Sequence, residues 1–259
     1  ALVAARDRVV LGADALAALH ALRALLAERG QTASDRRWRR FVALLRTAAA
    51  SEQRAEVDAL DLWLAAYVVA PDPADAGVFE DWFVSRIAGA APQELPWLAR
   101  AVEAFAQQCR IEQRAPGPDS LDGGGLGAAT VRMQRGSGEG LGGGEVARLL
   151  SPTLEAQSRR RYAPLHIEAR CEQVAQVQSQ VQALRVAAAE RLAALELRLA
   201  GRLWMPPSLR ARLLAGPSAT LARLAAHADS LAESHAGFAA LPQDPALADT
   251  VPAPIAVSA

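Results

Sequence analysis

Apolar side chains recur at steps of three and four along most of this chain, the 3.6-residue period of an α-helix. Asp14 is placed to cap a helix running to Arg29, with Leu16, Leu19, Leu22 and Leu26 near one face and Gly30 at its C-terminal end. Ser34 predicts the start of a second helix, whose stripe is Trp38, Phe41 or Val42, and Leu45. Ser51 is placed to start a third, with Val57, Leu60, Leu64 and Tyr67, which stops before Pro71-Asp72-Pro73. A short fourth helix carries Val78, Phe79, Trp82, Phe83 and Ile87. Pro96 suits the first turn of a fifth, with Leu98, Val102, Phe105 and Cys109 on its stripe.

Further along, Leu165 to Ala200 contains neither Gly nor Pro. Ile167, Cys171, Val174, Val177, Val181, Leu184, Ala188, Leu192, Leu195 and Leu199 keep the helical period throughout. At about 1.5 Å per residue such a helix is roughly 54 Å long. A stripe of that length needs neighbours or a partner chain to cover it. Gly201 and Pro206-Pro207 end it, and two shorter helices are expected over 208–215 and 218–235.

The expected fold class is therefore all-α, in four parts. Residues 1–114 form a helical bundle. Residues 115–144, with Gly123-Gly124-Gly125 and Gly142-Gly143-Gly144, form a flexible linker, because glycine loses the most backbone freedom on folding. Residues 145–240 form a long-helix hairpin or coiled coil. The Pro-containing stretch 241–259 is expected to be a disordered tail.

Composition sharpens this picture. The chain is 51% hydrophobic but only 5% aromatic, and its apolar residues are mostly Ala and Leu, the best helix formers. Its 28 basic and 28 acidic residues cancel, so no global field draws it to nucleic acid or an anionic membrane. Every basic residue is Arg. Codon usage in a GC-rich genome and selection against lysine modification both account for that. Either way, these residues supply no Schiff-base lysine and no phosphate-loop lysine. Two cysteines, Cys109 and Cys171, stand among apolar neighbours without a C-x-x-C pair, which favours free thiols and a reducing, cytoplasmic setting. The segment from Ala1 lacks the layout of a signal peptide, and no apolar run reaches 18 residues.

Candidate chemistry is thin. Gly138, Gly140 and Gly143 spell a nominal G-x-G-x-x-G, but Thr130–Arg135 before it reads poorly as a buried strand, and no βαβ context surrounds it. His20, His166, His227 and His235 show no metal-ligand spacing. No G-x-S-x-G occurs. The carboxylate pairs Asp58 with Asp61 and Glu80 with Asp81 read as solvated helix charges. No catalytic residue, cofactor site or metal site is expected, and no small-molecule substrate is identified.

Two interaction surfaces stand out. Arg36, Arg37, Trp38, Arg39 and Arg40 put four guanidinium groups near a helix N-terminus, where the helix dipole disfavours cations. A solvated or salt-bridged face, an acidic protein partner and nucleic acid, in that order, account for such a run. The second surface is the long stripe, with Val174, Val177, Val181, Leu184, Leu192 and Leu195 as contacts for a protein partner or for self-association.

The stretch Asp61-Leu62-Trp63-Leu64-Ala65-Ala66-Tyr67, followed by Phe79-Glu80-Asp81-Trp82, resembles the D-L-W-x-A-A-Y … F-x-x-W signature of an uncharacterised bacterial helical family. The resemblance covers residues 61–84 and implies a helical fold without a mechanism. The chain departs from the pattern after Ser85. The expected function is that of a non-enzymatic adaptor, scaffold or assembly component acting through helix–helix contacts. The alternative is a nucleic-acid-associated protein using Arg36–Arg40.

Overall fold

A computed structural model describes residues 2–70, 72–89, 92–117 and 159–256. The expected glycine-rich linker and the G-x-G-x-x-G glycines lie largely or wholly outside these residues. The fold is all-α, with one minimal pair of strands. The order is α1 (Leu2–Arg6), β1 (Val10–Leu11), α2 (Ala13–Glu28), α3 (Asp35–Ser51), β2 (Glu56–Val57), a 3-10 helix (Ala59–Leu64) and α4 (Ala65–Val68). A short 3-10 turn (Pro73–Asp75) leads into α5 (Ala76–Trp82), which runs on as a π-helical turn, Phe83–Ile87. Then come α6 (Pro96–Arg114), α7 (Pro164–Ala200) and α8 (Pro207–Ala239).

The chain divides into two compact units that do not follow chain order. The first contains residues 1–94 and 186–222, the second 95–185 and 223–259. The expected parts 1–114 and 145–240 are thus each split. The reason is the length of α7 and α8, since each supplies one segment to each unit.

In the first unit, β1 pairs in parallel with β2, Val10 opposite Glu56 and Leu11 opposite Val57. The core gathers Leu22 and Leu26 of α2, Phe41 and Leu45 of α3, Leu60 and Leu62 of the 3-10 helix, and Phe79 and Phe83. Leu199 of α7, together with Met205, Leu209 and Leu213 around the start of α8, completes it. Ser34 caps α3 as its position predicts, its hydroxyl accepting from the Arg37 amide at 3.3 Å. Gly30 turns the chain out of α2 with φ of 65°, a conformation glycine takes without a Cβ clash.

Ser51 does not start a helix; it ends α3. Gln53 comes two residues later with φ of 60°, the left-handed conformation that redirects the chain into β2. The helix expected from there to Tyr67 is replaced by β2, the 3-10 helix and the single turn α4. Asp58 closes that replacement as a capping box. Its side chain accepts from Leu60 N at 2.8 Å, and the Asp61 carboxylate accepts from Asp58 N at 3.0 Å.

In the second unit, α6, the first part of α7 and the last part of α8 pack together. Leu98, Val102, Phe105 and Cys109 bury one stripe of α6, and Ile167, Val174 and Val181 one stripe of α7. Leu224, Leu231 and Phe238 do the same on α8. The two short helices expected over 208–235 are one helix, with Pro217 inside it. A proline there removes one ladder hydrogen bond. One turn on, the Thr220 hydroxyl donates to the Gly216 carbonyl at 3.0 Å.

The stretch expected to be a disordered tail is tied down as far as it is described. Tyr162 N donates to Pro242 O at 2.8 Å, and Asp244 N donates to Tyr162 O at 3.0 Å. Arg170 Nη1 reaches Ala253 O at 2.8 Å. Backbone pairing of this kind gives a proline-rich segment partners that its composition does not advertise.

Gly237 lies at a close approach of α8 to α6. A Cβ there would lie 2.5 Å from Cys109 Sγ and 2.8 Å from Gln113 Nε2. Gly237→Ala is expected to destabilise the second unit by about 1–3 kcal/mol through overpacking, although alanine gains about 1 kcal/mol of helix propensity. Urea unfolding followed by circular dichroism checks the sign; stabilisation would mean α6 yields freely there.

Candidate interaction surface on α3 and the buried ion clusters

Helix α3 buries Phe41, Leu45 and Ala49 and turns its other faces outward. Arg36, Arg39 and Arg40 are exposed, and Arg37 and Trp38 are half-buried. Among the described residues none of these four guanidinium groups makes an ion pair, and Asp35 does not neutralise them. The face is solvated and cationic. Trp38 packs its ring 6.3 Å from that of Phe41, and the Arg23 guanidinium lies 6.0 Å from its centre. It is a wall at the edge of the core, not a free stacking platform.

Beside this row, α1 packs on α3 and leaves an open groove lined by Arg6, Asp7, Trp38, Arg39, Val42, Ala43 and Arg46. Arg6 is held by its neighbour Asp7 at 2.7 Å. Arg46 has its Nε buried with no hydrogen-bond partner.

The long stripe, expected to need neighbours or a partner chain, is covered in part by the chain itself. Val174 and Val181 are fully buried by the chain itself, while Val177, Leu184, Leu192 and Leu195 are half-buried. Leu195 rests on the core of the first unit. What α7 does expose in that unit is Val186 and Leu197, and the turn after it exposes Leu203 and Trp204.

The carboxylates read as solvated include one that is buried. Asp61 is 3% exposed, and it holds Arg54 Nη2 at 2.6 Å and Arg202 Nη1 at 2.6 Å. Arg54 also holds Glu52 at 2.8 Å, and Arg202 pairs with Asp58. Burial opposes the Arg54 charge, but its bonds to Asp61 and Glu52 outweigh that and hold its pKa above the ordinary arginine value. This cluster fastens the turn between α7 and α8 to the capping box of the 3-10 helix. Arg212 of α8 is likewise paired with Glu80, and with Asp81 at 2.5 Å.

A second cluster sits in the second unit. The Glu112 carboxylate accepts from Arg170 Nε at 2.9 Å and Gln108 Nε2 at 2.7 Å, with His166 Nε2 at 3.1 Å. The Tyr162 hydroxyl donates to the Glu112 carbonyl at 2.9 Å and its ring stacks on His166. Periodicity reveals neither cluster, because the partners are far apart in sequence. One signal was present for the first, since Asp58-x-x-Asp61 has the spacing of a capping box.

Cys109 and Cys171 are free thiols. Burial pushes both pKa values up, and the Glu112 charge adds to the effect at Cys109. Burial and then Glu112 raise Tyr162 as well. A folded-state pKa raised above the unfolded value gives stability that is full below the unfolded pKa and is lost as pH rises toward the folded one. The second unit is therefore expected to lose stability above pH about 8.5, where an unfolded thiol ionises. Iodoacetamide labelling of the native protein at pH 8 should be much slower than that of the urea-unfolded chain; equal rates would contradict the burial.

Among the described residues no helix is long and apolar enough to cross a membrane, and no group of three or more His, Cys, Asp or Glu is placed to hold a metal ion. Compared with known proteins, residues 14–83 match the model of a family described as an AAA lid domain. The match runs from α2 through Phe83 and includes the arginine row, the capping box and Asp61. No curated protein and no solved structure matches the chain.

Proposed function

We propose that this chain is a non-enzymatic assembly component that works through protein contacts, and that residues 14–83 serve as the lid of an AAA ATPase. AAA lid domains are found in AAA ATPases. The observation that carries the reading is the coincidence of the matched span with α2 to α5, whose buried core also takes in Leu199, Leu209 and Leu213 of the long helices. The Arg54–Asp61–Arg202 cluster joins the lid-like residues to the helix pair. A lid that moves on nucleotide turnover would carry with it the part of that helix pair that lies in the same unit, residues 186–222. Hydrolysis in this reading belongs to a nucleotide-binding core, to which the lysine-free residues here contribute no phosphate-loop lysine.

Cross-linking mass spectrometry on the protein isolated from its native cells tests this. These 259 residues carry no lysine side chain for amine-reactive reagents, so a dihydrazide joining carboxylates is the reagent of choice. Cross-links from the exposed carboxylates Asp35 or Asp72 to a nucleotide-binding domain are expected, and their absence would remove the lid reading. A second reading, a nucleic-acid contact, draws on the guanidinium groups of Arg36, Arg37, Arg39 and Arg40, which make no ion pair among the described residues. It requires salt-dependent binding that disappears when all four become Gln.

A further inference from the structure

We propose that the groove between α1 and α3 is a docking site for a short acidic segment of a partner protein, one that carries an apolar residue between its carboxylates. The proposal rests on the protein-contact reading above and names the partner chemistry at one surface. Three features of the groove argue for it. Its lining includes the apolar side chains of Trp38, Val42 and Ala43, which suit an aliphatic side chain rather than a phosphate. The same lining carries three cations, Arg6, Arg39 and Arg46. Two of those three cations are without a partner among the described residues, and Arg46 has a buried Nε–H that no acceptor meets.

A carboxylate is the acceptor that a guanidinium fits best in the fork geometry. The groove is open to solvent and not an enclosed cavity, so a chain segment can enter it. Asp7 also lines the groove, and Arg6 already meets its charge, which leaves Arg39 and Arg46 as the cations for an incoming acid. The occupant inferred is a peptide with Glu or Asp on both sides of a Leu-like residue, seated on Val42 and Ala43.

The test is isothermal titration of the full chain at about 50 mM salt, where surface charges are weakly screened. Three probes are used: a synthetic peptide alternating glutamate and leucine, the same peptide with glutamine in place of glutamate, and a single-stranded oligonucleotide. The acidic peptide is expected to bind, the glutamine peptide not to. The double variant Arg39→Gln with Arg46→Gln should weaken binding about tenfold, the sum of two partly exposed ion pairs. Arg39→Gln alone, at an exposed position, should weaken it severalfold with unchanged helicity, so misfolding is separable from loss of contact. No binding of the acidic peptide, or binding that survives the double variant, overturns the proposal. Binding of the oligonucleotide alone overturns it in favour of a phosphate contact. Loss of the lid cross-links leaves this titration untouched, so the two readings fail separately.

Discussion

Arg202→Met is expected to destabilise the first unit by about 3–5 kcal/mol, because removing one member of a buried ion cluster leaves its partners charged and short of a counterion. Arg202 is 4% exposed and is bonded to both Asp58 and Asp61. Methionine fills much of the stem's space, so the loss reports charge and hydrogen bonding more than packing. Arg54 remains on Asp61 in the variant, which places the effect toward the lower end of the range. A urea midpoint lowered accordingly supports the account; a change under about 0.5 kcal/mol, the size of an ordinary surface substitution, would mean that the cluster is solvated.

Glu112→Leu carries the second large effect, again about 3–5 kcal/mol, in the second unit. The substitution strands the Arg170 guanidinium, 7% exposed, and takes the acceptor away from Gln108 and His166. A paired change separates this cause from a loss of shape. Replacing Glu112 with Leu and Arg170 with Met together removes both charges, and apolar replacements of a whole buried pair are often close to neutral. The double variant should therefore regain most of the stability lost by the single one. If it is as unstable as the single variant, the contact of Arg170 with Ala253 O, and not its charge pairing, is what holds the unit together.

These two residues also mark the limit of what the sequence conveys. Ser34 and Pro96 act where local chemistry places them, because a cap or a first-turn proline involves only residues within one turn. Ser51 has the same local chemistry and ends a helix instead, since Gln53 turns the chain away and Asp58 is the residue that caps the 3-10 helix beyond it. Asp61 looks like any helix-surface carboxylate until Arg202, 141 residues on, arrives against it. Glu112 is hidden for the same reason, with Arg170 58 residues away. The arginine row on α3 was legible as a cluster. That a groove lies beside it depends on where α1 packs, and that its charges make no ion pair among the described residues depends on distant segments, neither of which any period in the sequence reports. The interleaving of the two units belongs to the same class of fact. The stripe on α7 is a faithful record of burial, but it does not say that the chain covers much of it for itself.

If the lid-like residues and the turn of the long helices move as one body, they must also open as one, and native-state hydrogen exchange tests this most directly. Amides in residues 60–66 and 209–213 should open with the same free energy in the unmodified protein and lose protection together in Arg202→Met. If 209–213 exchanges freely while 60–66 stays protected, the long helices are not fastened to the lid-like residues, and the proposed coupling does not exist.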